Sequence, residues 1–184
     1  PDGLAPDDPA AQADAAGISG YAVKRRLVRA HLAARAAVQA VDPRTRFLVV
    51  DPLVHVVAPA GDADPDGALA ARAARVAAWQ WQAWDLLAGR IEPALGGHAA
   101  ALDLVGVNHY HASQWEAGSE RRLDWHGRDP RRAPLSALLA GAWQRYGRPL
   151  VVAETSHVGV GRADWLHDVA HGVRQARAAG VPVQ

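Results

Sequence analysis

Three short apolar runs in this chain each give way to polar residues able to do chemistry. Phe47-Leu48-Val49-Val50 is followed by Asp51 and His55, Leu104-Val105-Gly106-Val107 by Asn108-His109-Tyr110-His111, and Pro149-Leu150-Val151-Val152-Ala153 by Glu154 and His157. Glu154 carries the sharpest implication. A carboxylate abutting Val152-Ala153 starts at the edge of an apolar interior, where it stays ionised only when hydrogen-bonded or charge-paired. Tyr110, at the end of the preceding run, is a suitable donor. A carboxylate held ionised by such donors is a usable nucleophile for glycoside chemistry. On the residues alone, a glutamate that caps the following loop or pairs with Arg162 fits equally well. The histidines open a second chemistry. His55, His109, His111 and His157, with Asp51 and Glu154, are the imidazole and carboxylate groups that a metal-dependent hydrolase or isomerase uses. No tight ligand motif such as His-Glu-x-x-His accompanies them, and sugar hydroxyls are equally suitable partners.

The elements that must hold these residues alternate. Pro1 to about Gly20 is rich in Pro, Asp and Ala, has no apolar period and reads as a loop. Val23, Leu27, Ala30, Ala34, Val38 and Val41 recur at steps of three and four, the stripe of a helix that Asp42-Pro43 stops. The run at 47–50 has no polar alternation, which suits a strand buried on both faces of a parallel sheet. Asp64-Pro65-Asp66 starts a helix running to about Leu87, and Gly96-Gly97 breaks the chain before the strand at 102–107. A polar loop with Trp115 and Trp125 leads to a helix striped by Leu135, Leu138, Leu139, Ala142 and Tyr146. Gly147 stands where a left-handed cap belongs. After the strand at 149–153, Leu166, Val169, Val173 and Ala176 mark another helix, closed by Gly180, and Val181-Pro182-Val183 begins a further strand.

Strict alternation of helices with apolar strands defines an α/β chain of parallel βα units. No glycine-rich phosphate loop follows any strand, which weighs against a nucleotide-binding doubly wound sheet. A complete (β/α)8 TIM barrel needs about 250 residues. Four units in 184 residues match the second half of one, with residues 1–184 as the C-terminal half-barrel and 1–20 as the loop after a missing fourth strand. Such a half leaves two strand edges open and is not expected to be stable without its N-terminal partner half. The chain opens on Pro1 and contains no Met, in keeping with an internal piece of a longer protein. In barrels of this kind the active site lies at the carboxyl ends of the strands, where the polar residues named above cluster.

Composition narrows the partners. Twenty Lys+Arg against nineteen Asp+Glu leave a net charge of +1, and the arginines are spread along the chain, so no basic field recruits nucleic acid. No run approaches the roughly 18 apolar residues of a membrane span. The absence of cysteine removes disulfides, thiolate metal sites and a cysteine nucleophile, and leans toward a cytoplasmic setting.

Two strand motifs carry a family resemblance. Leu102-Asp103-Leu104-Val105-Gly106-Val107-Asn108-His109-Tyr110 resembles the "DFxGxNYY" strand of the family 1 glycoside hydrolases, the β-glucosidases and their relatives. Pro149-Leu150-Val151-Val152-Ala153-Glu154-Thr155 resembles their "PxxITENG" strand, which carries the catalytic nucleophile. The spacing between the two, the Arg145-Tyr146-Gly147 helix end and the Trp165-Leu166-His167 helix also fit. The resemblance implies that Glu154 is the nucleophile, that Tyr110 hydrogen-bonds it, and that Asn108 matches the asparagine beside the acid/base region. His109 stands in place of the first tyrosine of the pair, and Thr155-Ser156 in place of Asn-Gly. The family's acid/base glutamate belongs to an Asn-Glu-Pro motif after the fourth strand, and no such motif occurs here. The implied reaction is retaining O-glycosyl hydrolysis of a carbohydrate substrate with no metal or organic cofactor. One of its two carboxyls lies upstream, so the piece alone is expected to be inactive. A catalytically silent homologue that uses Glu154 only to grip a sugar is a further reading.

His109, His111, Gln114, Trp115 and His157 are the expected substrate contacts. Trp125 is a second candidate for stacking on a sugar ring, and Glu116 for reaching a hydroxyl. Trp79, Trp81 and Trp84 lie on a helix and read as packing aromatics. The arginines at 121, 122, 128, 131 and 132 read as a solvated loop partnered by Asp124 and Asp129, with a phosphate-bearing sugar as the sharper alternative.

Overall fold

The computed structural model describes residues 19–60 and 64–184, so the expected opening loop lies almost wholly outside the described residues. Two compact units emerge. One is formed by the chain up to Val49 and by Trp81–Asp103, the other by Val50–Gln80 and Leu104–Gln184. No helix of the described residues is long and apolar enough to cross a membrane.

In the first unit, α1 (Gly20–Val41) starts at Ser19, whose hydroxyl accepts the Ala22 amide at 3.2 Å. The helix forms where expected but buries another face. Tyr21, Val28 and Arg35 are buried, while Val23, Leu27, Val38 and Val41 of the anticipated stripe are exposed. Polar anchors select the rotation. Tyr21 donates to Glu92 at 2.6 Å, Lys24 to Gln82 at 3.1 Å, and Arg35 meets Asp103 through both oxygens. Arg35 also donates to the Ala100 carbonyl at 2.9 Å and lies over the Phe47 ring. Asp103 further accepts the Phe47 amide at 2.8 Å, so one carboxylate ties the helix to the start of the following strand. Below them, α3 (Gln82–Leu87) buries Trp84, Leu86 and Leu87, and the Trp84 indole donates to the Val49 carbonyl at 3.1 Å. Gly97 packs against that helix end so closely that a Cβ there would collide with the Leu86 carbonyl oxygen.

The expected long helix is thus two. α2 (Ala68–Trp79) ends where Gln80 turns its amide back onto the Ala77 carbonyl and accepts the Val54 amide. Asp64 caps it from a distance, its two oxygens accepting the Leu69 and Ala70 amides at 2.9 and 2.7 Å. The packing reading of the tryptophans holds for Trp84, which is fully buried.

The main sheet has the order β1 (Leu48–Pro52), β3 (Leu104–Asn108), β5 (Leu150–Glu154). β3 and β5 are parallel, paired Val105↔Leu150 through Val107↔Val152 and then Asn108↔Glu154, so Ala153 is an extra residue on β5. α4 (Leu135–Tyr146) and α5 (Arg162–Ala178) pack together, with Gly172 letting Leu135 approach. Gly147 takes the left-handed cap conformation at φ +62° as the sequence requires, its amide returning to the Trp143 carbonyl at 2.7 Å. Val183 makes one parallel bridge to Leu150, the entry of a further strand. The arrangement is that of a partial TIM barrel, parallel strands alternating with helices. The strands are less covered than apolar runs predict: β1 alternates exposed and half-buried, and β5 becomes exposed toward Glu154. A second, unanticipated parallel pair joins β2 (His55–Val57) to β4 (Gln114–Glu116), with α2 over it through Val56, Ala73 and Ala117.

Asp103 joins Arg35 and the Phe47 amide in one junction of the first unit. Asp103→Ala strips Arg35 of its counter-charge and is expected to cost about 3 kcal/mol, read as a lowered denaturation midpoint. The Arg35 guanidinium holds the Asp103 carboxyl below its usual value, against an opposing effect of burial. That stabilisation is complete above about pH 4 and is lost as the pH falls through the folded-state value. Asp103→Asn therefore flattens the acid limb of the stability profile, whereas Arg44→Ala at the exposed Asp42 pair leaves it in place.

Candidate active site at the strand ends

β3 and β5 deliver their last residues side by side. Glu154 is opposite Asn108, and the His109 amide donates to the Glu154 carbonyl at 2.9 Å. The Leu53 amide donates to the Asn108 carbonyl at 2.9 Å and brings the chain after β1 to the same end. The Glu154 side chain is exposed there. Among the described residues its carboxylate accepts no hydrogen bond: the expected bond from Tyr110 is not formed, and Arg162 turns its Nε to the Gly159 carbonyl instead. Tyr110 is half-buried two residues beyond Asn108, its backbone amide held by the Ser113 hydroxyl at 3.0 Å.

Around this end lies a cluster of rings that the sequence did not disclose. His111 and His157 have centroids 4.0 Å apart, His109 stacks on Trp165 at 5.6 Å, and Trp125 meets both His157 and Trp165 at 5.3 Å. His109 is buried and its Nδ1 faces the Leu53 carbonyl at 3.4 Å. Burial pushes its pKa down to about 4 despite that bond, so the ring is neutral at physiological pH. Burial, and then the neighbouring His157, lower His111 as well.

Three buried polar atoms at these strand ends have no partner: Asn108 Oδ1, His111 Nδ1 and His157 Nε2. An orphaned buried donor or acceptor costs about 1–3 kcal/mol unless water or a ligand meets it. A polyhydroxylated ligand supplies such partners. The metal chemistry, by contrast, requires at least three converging ligands. His55 is drawn away to the Arg131 carbonyl at 3.1 Å, and among the described residues no three His, Asp or Glu side chains are placed to hold a cation.

Two expected contacts have other partners. The Gln114 amide is buried and doubly used, donating to the Ala133 carbonyl at 2.9 Å and accepting its amide at 2.8 Å. Trp115 belongs to β4 rather than to a loop, and the Arg122 guanidinium covers its ring at 5.0 Å. Its alternation with buried Gln114 and Glu116 was a strand signal hidden in three residues. Two of the loop's arginines are paired with carboxylates, while Arg132 donates to the His111 and Leu123 carbonyls. Arg131 bridges Asp129 at 2.8 Å and Glu116 at 2.7 Å, and Arg121 joins Glu116 at 3.0 Å. Glu116 is thereby a structural carboxylate, held down at about 2 by those arginines.

A cleft of about 840 Å³ runs alongside, lined by His109, Trp125, His126, Asp164, Trp165 and Asp168 among others. Glu154 and Tyr110 are not part of its wall, so the cleft and the strand-end carboxylate are separate features.

With this geometry in view, the fold defines a class. The chain is similar to a hyperthermophilic β-glucosidase at 18% identity and TM-score 0.62, covering 91% of this chain and 39% of that one. It is similar to the β-glycosidase of Thermosphaera aggregans at 16% identity and TM-score 0.60, covering 90% and 40%, and to that of Pyrococcus horikoshii at 21% and 0.60, covering 92% and 44%. No protein-family model and no curated protein matches the sequence. The fold is thus a C-terminal piece of a β-glycosidase-like barrel, and the chain spans about two-fifths of the length of these neighbours.

The buried imidazole gives a direct check. Because the folded-state pKa of His109 is depressed, its contribution to stability is full above about pH 6.5 and declines as the pH falls toward 4. Its ring resonances, followed by NMR, should titrate with a midpoint near 4, well below the ordinary histidine value.

Proposed function

We propose that this chain is the C-terminal half of a retaining glycoside hydrolase of the family 1 type, with Glu154 as the nucleophile. The observation that carries the reading is the location of Glu154. It is the exposed last residue of β5, in register with Asn108 at the carboxyl end of the neighbouring strand, on the face where barrels of this class do their chemistry. The orphaned polar atoms of Asn108, His111 and His157 support a hydroxyl-rich ligand beside it. The β-glycosidase neighbours support the reaction class.

In this mechanism the Glu154 carboxylate attacks the anomeric carbon while a second carboxyl, contributed from outside these 184 residues, protonates the departing oxygen. A glycosyl-enzyme ester forms at Glu154. Water then attacks the same carbon, giving its proton to the second carboxyl and releasing the sugar with net retention. The two carboxyls must lie about 5–5.5 Å apart, which the missing half of the barrel has to provide. Neither a metal nor an organic cofactor takes part.

The test uses the longer polypeptide that carries this segment and an activated 2-deoxy-2-fluoro glycoside. Intact-mass and peptide analysis should find one sugar ester on Glu154. Glu154→Gln should lower turnover by at least about a thousandfold. The melting temperature should barely move, since the side chain is exposed and unbonded. Activity retained in that variant, or a label on another residue, rejects the assignment.

A further inference from the structure

Trp165 in the first turn of α5 touches both strand ends at once. The side chain is 1% exposed. Its Nε1–H donates to Thr155 Oγ1 at 2.8 Å, on the residue directly after Glu154. Its ring lies on His109, the residue directly after Asn108, with centroids 5.6 Å apart and planes at 29°. Trp125 meets its edge at 5.3 Å and 84°, and in turn donates its own Nε1–H to Asp168 one helical turn along α5. The backbone bond from His109 to Glu154 closes the circuit.

We propose that Trp165 is a positioning residue for Glu154, acting through the Thr155 hydroxyl and the His109 ring. The proposal rests on the reading of Glu154 as the nucleophile. Among the described residues no hydrogen bond reaches the Glu154 carboxylate, so its aim is set by the backbone on either side. On the amino-terminal side that restraint is the pairing with Asn108, which ends there. On the carboxyl-terminal side it is the Thr155 hydroxyl, clamped by a buried indole. The glycosidase strand motif that this segment resembles has asparagine where this chain has Thr155, so the hydroxyl–indole bond belongs to this chain's own sequence. An indole suits the task because it combines a donor N–H with a face wide enough to stack on an imidazole. A displacement of about 1 Å in a nucleophile costs up to about a hundredfold in rate, so a rigid clamp next to it is felt in the chemical step.

The experiment measures the first-order rate constant for labelling of Glu154 by an activated 2-deoxy-2-fluoro glycoside in the longer polypeptide. Trp165→Phe keeps the ring and removes the N–H, and Thr155→Val removes the acceptor. Each should slow labelling about tenfold with little change in the dissociation constant of the reagent. The double variant should be no slower than either single one, because both remove the same bond. Thr155→Ser, which keeps the hydroxyl, should restore the rate. A purely structural Trp165 would lower the melting temperature of Trp165→Phe and leave the labelling constant of the folded protein unchanged. That result, or wild-type labelling in Thr155→Val, overturns the proposal while leaving Glu154 as the nucleophile. Absence of any label on Glu154 in the unsubstituted protein overturns the glycosidase reading and the proposal together.

Discussion

The register of β5 against β3 is the constraint on which the site depends. Side chains alternate across a sheet, so a slip of one residue sends each of them to the opposite face. Val107 pairs with Val152, yet Asn108 pairs with Glu154, because the ladder accommodates Ala153 as an extra residue. Without that irregularity Asn108 would lie opposite Ala153, and Glu154 would fall one step beyond the pairing. A bulge of this kind bends the strand and re-aims its last side chain, which is why bulges gather beside functional groups. The His109 amide then bonds the Glu154 carbonyl and fixes the new register. Backbone geometry, more than any side-chain contact, presents the carboxylate.

Much of the fold was legible because the apolar runs at 104–107 and 150–153 are long enough and flanked by sharp punctuation. Gly147 and Gly180 mark helix ends that the structure reproduces with positive φ at both. Three features were not legible, each for a physical reason. The three-residue strands β2 and β4 are too short to show a period, and Trp115 therefore read as a loop residue. The face of α1 is chosen by Tyr21, Lys24 and Arg35, whose partners Glu92, Gln82 and Asp103 are more than fifty residues away, and a hydropathy stripe carries no trace of them. The helix break at Gln80 arises from a side-chain amide that bonds backbone on both sides, which is again a tertiary fact. The strand-end placement of Asn108 and Glu154 was readable locally. The partners of Gln114 were not, since its amide is committed to Ala133 nineteen residues on.

The exposure of the strands fits the partial barrel. A run such as Phe47-Leu48-Val49-Val50 has no polar alternation because in a closed barrel one face meets the helices and the other the layered interior. Here Leu48 and Val50 are about 40% exposed. The sequence of these strands is written for an interior that four βα units cannot enclose, and the coverage of the β-glycosidase neighbours, about 40% of their length, has the same implication. Glu154 shares the condition: it is the exposed last residue of β5.

The histidines at this rim divide by what surrounds them. His109 is enclosed by Trp165 and the Leu53 carbonyl, and burial keeps it neutral, so it serves as an apolar floor under the two strand ends. His111 and His157 face each other with one buried nitrogen apiece left unbonded. Their mutual repulsion when charged, added to burial, also favours the neutral form of His111. A neutral imidazole is at once donor and acceptor, so each ring can still take a partner of either kind at its unbonded nitrogen.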